Sequence, residues 1–208
     1  MTSDVPDPAY LRPYRDAARA HGGGFRSLLW ASPQTQGVRF DALTRIVDFR
    51  GRLVCDAGCG RADLLDHLDR SGIGVADYTG IEAVGALADA AERKRRRNVR
   101  MIRADFVSRP ACLFVGAEVV AFSGSLNTVD DAAFYATVRR AFDATAWALV
   151  FNFLSGPELA GADHLYWRAK PDVERFVRSL DPVEVRVADD YLDGDCTIAV
   201  LKVDPHAT

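Results

Sequence analysis

Acids and glycines stand at the ends of three short apolar runs between Leu53 and Phe106, and together these residue types can hold a polar ligand. The run Leu53-Val54-Cys55-Asp56-Ala57 leads into Gly58-Cys59-Gly60-Arg61-Ala62-Asp63. Gly58 and Gly60 lack a Cβ, so the backbone can turn tightly and a ligand can approach it closely. A helix starting at Asp63 would aim its first amides at the same place. The next run ends in Thr79-Gly80-Ile81-Glu82-Ala83, and a carboxylate there can accept from both hydroxyls of a ribose. The third ends in Arg103-Ala104-Asp105-Phe106, an acid beside a ring. A fourth, Val119 to Phe122, opens into Ser123-Gly124-Ser125-Leu126-Asn127-Thr128. A GxGxxG dinucleotide fingerprint would need glycine at position 63. Asp63 would repel a pyrophosphate there, which disfavours NAD.

These residues need a frame that gathers strand ends. From Leu53 onward short apolar runs alternate with helical stretches: strands at Leu53 to Ala57, Tyr78 to Glu82, Val99 to Ala104, Val119 to Phe122 and Ala146 to Leu154. Helices are expected over Asp63 to Ser71, Val84 to Arg96, Asp130 to Asp143 and Leu165 to Leu180, the last interrupted by Pro171. Val183 to Val187 and Thr197 to Leu201, joined by Asp193-Gly194-Asp195, read as a hairpin. The alternation implies a mostly parallel sheet with right-handed crossovers, whose ligands bind beyond the carboxyl ends of the strands. Ahead of it, helices are expected at Tyr10 to His21 and Arg39 to Asp48, around a patch reading FRSLLW. Residues 1–50 form a helical extension or lid, and 51–208 the binding domain.

A chain of 208 residues, 49% hydrophobic and 26% charged, suits an ordinary globule and excludes a disordered or fibrous protein. Its net charge of −3 argues against a non-specific nucleic-acid binder. Cys55, Cys59, Cys112 and Cys196 match no zinc spacing and suit reduced thiols in the cytoplasm, so no metal is expected. The polar, Pro-rich start is no signal peptide, and the longest apolar run, Ala146 to Phe151, falls far short of the ~20 residues that span a bilayer. Neither composition nor motif bears on oligomeric state.

DAGCGRAD after an apolar strand resembles motif I of the class I S-adenosylmethionine (SAM) dependent methyltransferases, an acid followed by GxGxG, with Ala62 in place of the third glycine. The resemblance covers Leu53 to Val203. It implies a Rossmann-like α/β fold: a seven-stranded, mostly parallel sheet with helices on both faces and a C-terminal antiparallel hairpin. By the same resemblance Asp56, Gly58, Cys59 and Gly60 belong to the cofactor loop, Glu82 with Ala83 to the ribose, and Asp105 with Phe106 to the adenine. Ser123 and Gly124 would lie under the methionine portion, and Asn127 toward the acceptor. Gln36 and Arg39-Phe40 echo a segment of some small members, where Arg39 would pair with the methionine carboxylate.

The implied activity is methyl transfer by in-line displacement, with S-adenosylhomocysteine (SAH) as product. The loop lacks the Asn/Asp-Pro-Pro-aromatic tetrapeptide of amino-methylating enzymes and the Pro-Cys of cytosine-C5 enzymes, which leaves a small-molecule acceptor. Asp163, His164 and Tyr166 lie where acceptor contacts occur in the family, and His164 and Tyr166 are the candidates for a catalytic base. Positioning alone can suffice for so activated a methyl group. Two alternatives stand beside this reading. One is a SAM-binding scaffold without catalysis. The other is an RNA methyltransferase using the basic run Arg93-Lys94-Arg95-Arg96-Arg97, whose simpler reading is a solvated helix end.

Overall fold

Successive side chains of a strand point to opposite faces of its sheet, and that alternation divides the core in two. In the computed structural model, which describes residues 7–94 and 96–207, one sheet contains β1 (Leu53–Ala57), β2 (Asp77–Glu82), β3 (Val99–Arg103), β4 (Val119–Phe122), β5 (Ala148–Leu154), β6 (Glu184–Ala188) and β7 (Asp195–Leu201). Val120, Phe122, Leu149, Phe151, Ile198 and Val200 point to one face and Val119, Ala121, Ala148, Val150 and Ala199 to the other. The first face is covered by α5 (Asp131–Ala144) and α6 (Lys170–Arg178), through Phe134, Val138, Val173 and Val177. The second is covered by α2 (Pro33–Ile46) and α3 (Asp63–Arg70), through Phe40, Leu43, Leu64 and Leu68.

The strand order is β3-β2-β1-β4-β5-β7-β6. β1 to β5 pair in parallel, while β7 runs antiparallel between β5 and β6. This is the expected architecture. The order reverses between β1 and β4, and a crevice opens there at the carboxyl ends of the strands.

Two further helices are α1 (Arg12–His21) and α4 (Gly85–Glu92). The segment after α1 folds back on it: Ser27, fully buried, donates to the Gly22 carbonyl at 2.6 Å and to that of Ala17 at 3.2 Å. Gly23 lies so close to α4 that a Cβ would stand 2.5 Å from the Ala86 carbonyl oxygen.

Three boundaries differ from the sequence expectation by more than two residues. α2 starts at Pro33 rather than Arg39, because Ser32 and Thr35 form a capping box with both bonds at 3.1 Å and Pro33 suits the first turn. α4 stops at Glu92 rather than Arg96: Lys94 leaves the helix and donates to the Ala62 carbonyl at 2.9 Å. The stretch 165–169 is extended rather than helical. There Trp167 bridges to Leu154, and the Arg168 amide donates to the Leu154 carbonyl at 2.8 Å. Among the described residues no helix is long and apolar enough to cross a membrane.

Candidate functional site

The turn after β1 is left-handed at Gly58 (φ +75°) and Gly60 (φ +56°). A Cβ on Gly58 would strike the Ser125 side chain, and one on Gly60 would stand 2.5 Å from Leu28. Ala62, at the third glycine's place, keeps a left-handed φ of 57° with its methyl group in the core. Glu82 shapes the turn from β2: its Oε2 accepts from the Gly60 amide at 2.8 Å and its Oε1 from Val84 at 2.7 Å. Burial pushes the Glu82 carboxyl up, and the amides of Val84, Gly60 and Ala83 oppose the rise.

Asp56 lies behind this turn. It is buried, accepts from the Tyr78 hydroxyl, and is raised to about 7 by burial, with the Tyr78 bond pulling the other way and Glu82 and Asp63 adding to the rise. Cys59 turns its sulfur toward Gly80 of β2. Gln36 donates to Asp63 at 3.4 Å, tying α2 to the first turn of α3.

Asp105 follows β3. Its Oδ2 accepts from the Tyr10 hydroxyl and from Ser108 Oγ, each at 2.7 Å, and its Oδ1 from the Val107 amide at 2.9 Å. Phe106 stands edge-on to Phe122, with centroids 5.2 Å apart. The loop after β4 is held by Asn152 of β5, whose side chain accepts from the Gly124 amide at 2.7 Å and donates to Ser123 Oγ at 3.2 Å. Gly124 is left-handed (φ +73°), and a Cβ there would stand 2.8 Å from the Trp30 ring.

Arg39 is buried, donates through Nε to Asp195 at 2.6 Å, and lies 4.8 Å from the centre of the Trp30 ring. Burial pushes Asp195 up, and Arg39 opposes it. Tyr14 of α1 is pushed up to about 12, by burial first and Glu82 second, with Thr128 and Arg39 acting the other way.

A cleft of about 220 Å³ collects most of these residues. Of those singled out in the sequence, it is lined by Gly58, Gly60, Glu82, Ala83, Asp105 and Phe106, and by Ser123, Gly124, Asn127, Arg39 and His164. Asp56, Cys59, Gln36 and Tyr166 are not on its wall, and Tyr166 is 43% exposed. The cleft adds Tyr10, Tyr14, Leu28, Trp30 and Thr128, which no motif marked. The FRSLLW patch was the one signal for Leu28 and Trp30: an apolar cluster outside the strand–helix alternation has to cover something.

Two members of the basic run are tied to carboxylates, as is Arg103 beyond it. Lys94 pairs with Asp66, and Arg96 with Asp66 and Asp69. Arg103 pairs with Asp89 and Glu92. Arg95 lies outside the described residues. Among the described residues no group of three His, Cys, Asp or Glu side chains could hold a metal ion.

No protein-family model matches the chain, and neither does any curated protein. Solved structures do. Magnesium protoporphyrin IX methyltransferase from Synechocystis PCC 6803 with bound SAM is 14% identical, with 96% of this chain and 100% of that one covered and a TM-score of 0.67. A SAM-dependent methyltransferase from Leishmania major is 13% identical over 93% of this chain and 83% of that one, at 0.69. An O-methyltransferase family protein from Burkholderia thailandensis is 15% identical over 93% and 66%, also at 0.69. These likenesses show the fold alone: the chain shares the Rossmann-like α/β architecture of solved SAM-dependent methyltransferases.

Proposed function

We propose that the chain binds SAM in this cleft and transfers its methyl group to a small-molecule acceptor, leaving SAH. The observation that carries the reading is Glu82. Its carboxylate is buried at the end of β2 and lines the cleft, and each oxygen has one backbone amide bound. A carboxylate has about four acceptor sites, so each oxygen keeps capacity for one ribose hydroxyl. The glycine turn supports this, since Gly58 and Gly60 leave the backbone open to close approach at the switch point.

Bound SAM would supply a sulfonium-activated methyl carbon open to in-line attack by the acceptor's lone pair, with SAH as the leaving group and the acceptor's proton released to water. The chain's part is placement. Glu82 orients the ribose, Phe106 offers an edge to the adenine, and the loop at Ser123 and Gly124, braced by Asn152, fixes the floor beneath the reacting centre. Arg39 faces the cleft already paired with Asp195, so it serves as a fixed wall of the methionine end rather than a free cation. An adenine amine on Asp105 would replace the Tyr10 hydroxyl, which makes the N-terminal segment a lid. Buried free thiols at Cys55, Cys59 and Cys196 suit a reducing compartment such as the cytoplasm.

Titration calorimetry tests the reading. SAM and SAH are both expected to bind, and Glu82→Ala to weaken SAH by about tenfold or more, ~1.4 kcal/mol. Glu82→Gln, which keeps an acceptor on the loop amides, should lose less. If neither ligand binds the native chain, the proposal fails.

A further inference from the structure

We infer that the part of the cleft lined by Asn127, Trp30 and Leu165 recognises an uncharged acceptor, which donates an O–H or N–H bond to the Asn127 side chain while its apolar body packs against the other two. The inference rests on the methyltransferase reading and assigns the acceptor half of the same site.

Asn127 is 6% exposed and lines the cleft, and its amide oxygen has no hydrogen-bond partner. A buried polar group without a partner is unfavourable and uncommon in folded chains. Neighbouring groups of the same loop have partners. The Gly124 amide is held by Asn152 at 2.7 Å, Ser125 Oγ donates to the Ala57 carbonyl at 2.7 Å, and the carbonyl of Asn127 itself accepts from the Tyr166 amide at 2.8 Å. The Asn127 backbone is therefore fixed from two sides, by the loop after β4 and by the extended stretch after β5, while its buried side-chain oxygen is left without a partner. An acceptor atom held this rigidly loses little freedom when a donor arrives.

Charge decides what the donor belongs to. The cleft presents the carboxylates of Glu82 and Asp105, while Arg39, its one arginine among the described residues, is already spoken for by Asp195. An anionic acceptor would meet two carboxylates and an occupied cation. A cationic acceptor would have to approach a sulfonium of its own sign, at a cost in a water-poor cleft. An uncharged molecule avoids both. The walls agree: Trp30, Leu159, Leu165 and Leu192 give apolar surface, and Tyr14, its phenol held protonated by burial, adds a neutral polar tip.

The test uses p-cresol, toluene, benzoate and benzylammonium as probes of one size, with dissociation constants read by ligand-observed NMR on the native chain loaded with SAH. The expected result is p-cresol at least about tenfold tighter than toluene and tighter than either charged probe. Asn127→Leu should bring p-cresol and toluene together while SAH affinity stays within about twofold of native. Equal binding of p-cresol and toluene to the native chain overturns the inference, as does tighter binding of a charged probe or no binding of any. A tenfold loss of SAH affinity in Asn127→Leu also overturns it, by assigning the amide to the cofactor. The probe comparison needs only the native chain, so it stands even if the variant does not fold. Failure of SAH to bind at all is a separate result that removes the methyltransferase reading, and the same probes on unloaded protein still report on Asn127.

Discussion

Tyr78 reaches the Asp56 carboxyl from the neighbouring strand, so the first acid of the glycine motif is a buried strut beneath the turn rather than part of the cleft wall. Burial raises Asp56 from 3.8 to about 7, and the Tyr78 bond pulls the other way. Between those values the native state holds a proton that the unfolded chain has lost, so this group makes stability fall as pH rises from about 4 to about 7. Asp56→Asn still accepts from Tyr78 and cannot ionise. Denaturant unfolding should show it gaining on the native chain by up to ~4 kcal/mol between pH 4 and pH 8. Parallel pH profiles would show that Asp56 does not carry this shift. Asp195, raised in the same direction, is present in both proteins and drops out of the difference, whereas the repulsion from Glu82 is part of what the substitution removes. The strand-end residues were legible because each one follows its own strand: Glu82, Asp105 and Phe106 needed only local pattern. Tyr10 was not, since 95 positions separate it from the Asp105 that it bonds. Arg39 was legible as a cleft residue but not in its bond, because Asp195 lies 156 positions away and no local rule joins them.

At the level of elements, the strands and the switch point followed from apolar runs and glycines, whereas helix ends were set by contacts that periodicity does not carry. Ser32 capped α2 six residues earlier than its apolar spacing suggested, and Lys94 ended α4 by reaching across to α3. The segment from α1 to Trp30 meets α4 at a close approach, Gly23 on the Ala86 carbonyl. A backbone oxygen cannot move aside as a side chain can, so Gly23→Val should lift this segment from α4. The expected outcome is faster protease cleavage before α2 and a several-fold loss of SAH affinity, with far-UV circular dichroism nearly unchanged because the sheet does not depend on the contact. Unaltered protection together with unaltered SAH affinity would show that the segment does not close the site.

Across the whole molecule, a net charge of −3 conceals local pairing: Lys94, Arg96 and Arg103 each meet carboxylates of α3 or α4. Binding to nucleic acid depends on cations free to replace counterions at phosphates, and these already have partners. The chain is therefore expected to show no retention on RNA at about 0.15 M salt, by filter binding, and Arg96→Gln with Arg97→Gln to change nothing. Salt-dependent retention that those substitutions abolish would restore the RNA reading.

All seven residues of β7 are buried, and both strands it pairs with precede it in the chain. On the ribosome, then, β5 is made long before the strand that covers its edge. The growing chain presents a row of open amides and carbonyls beside Phe151 and Phe153, and neighbouring chains on one message present the same row. Closure by β7 is thus a race between a late intramolecular partner and an early intermolecular one. Slower translation near the 3′ end of the message would tilt that race toward aggregation.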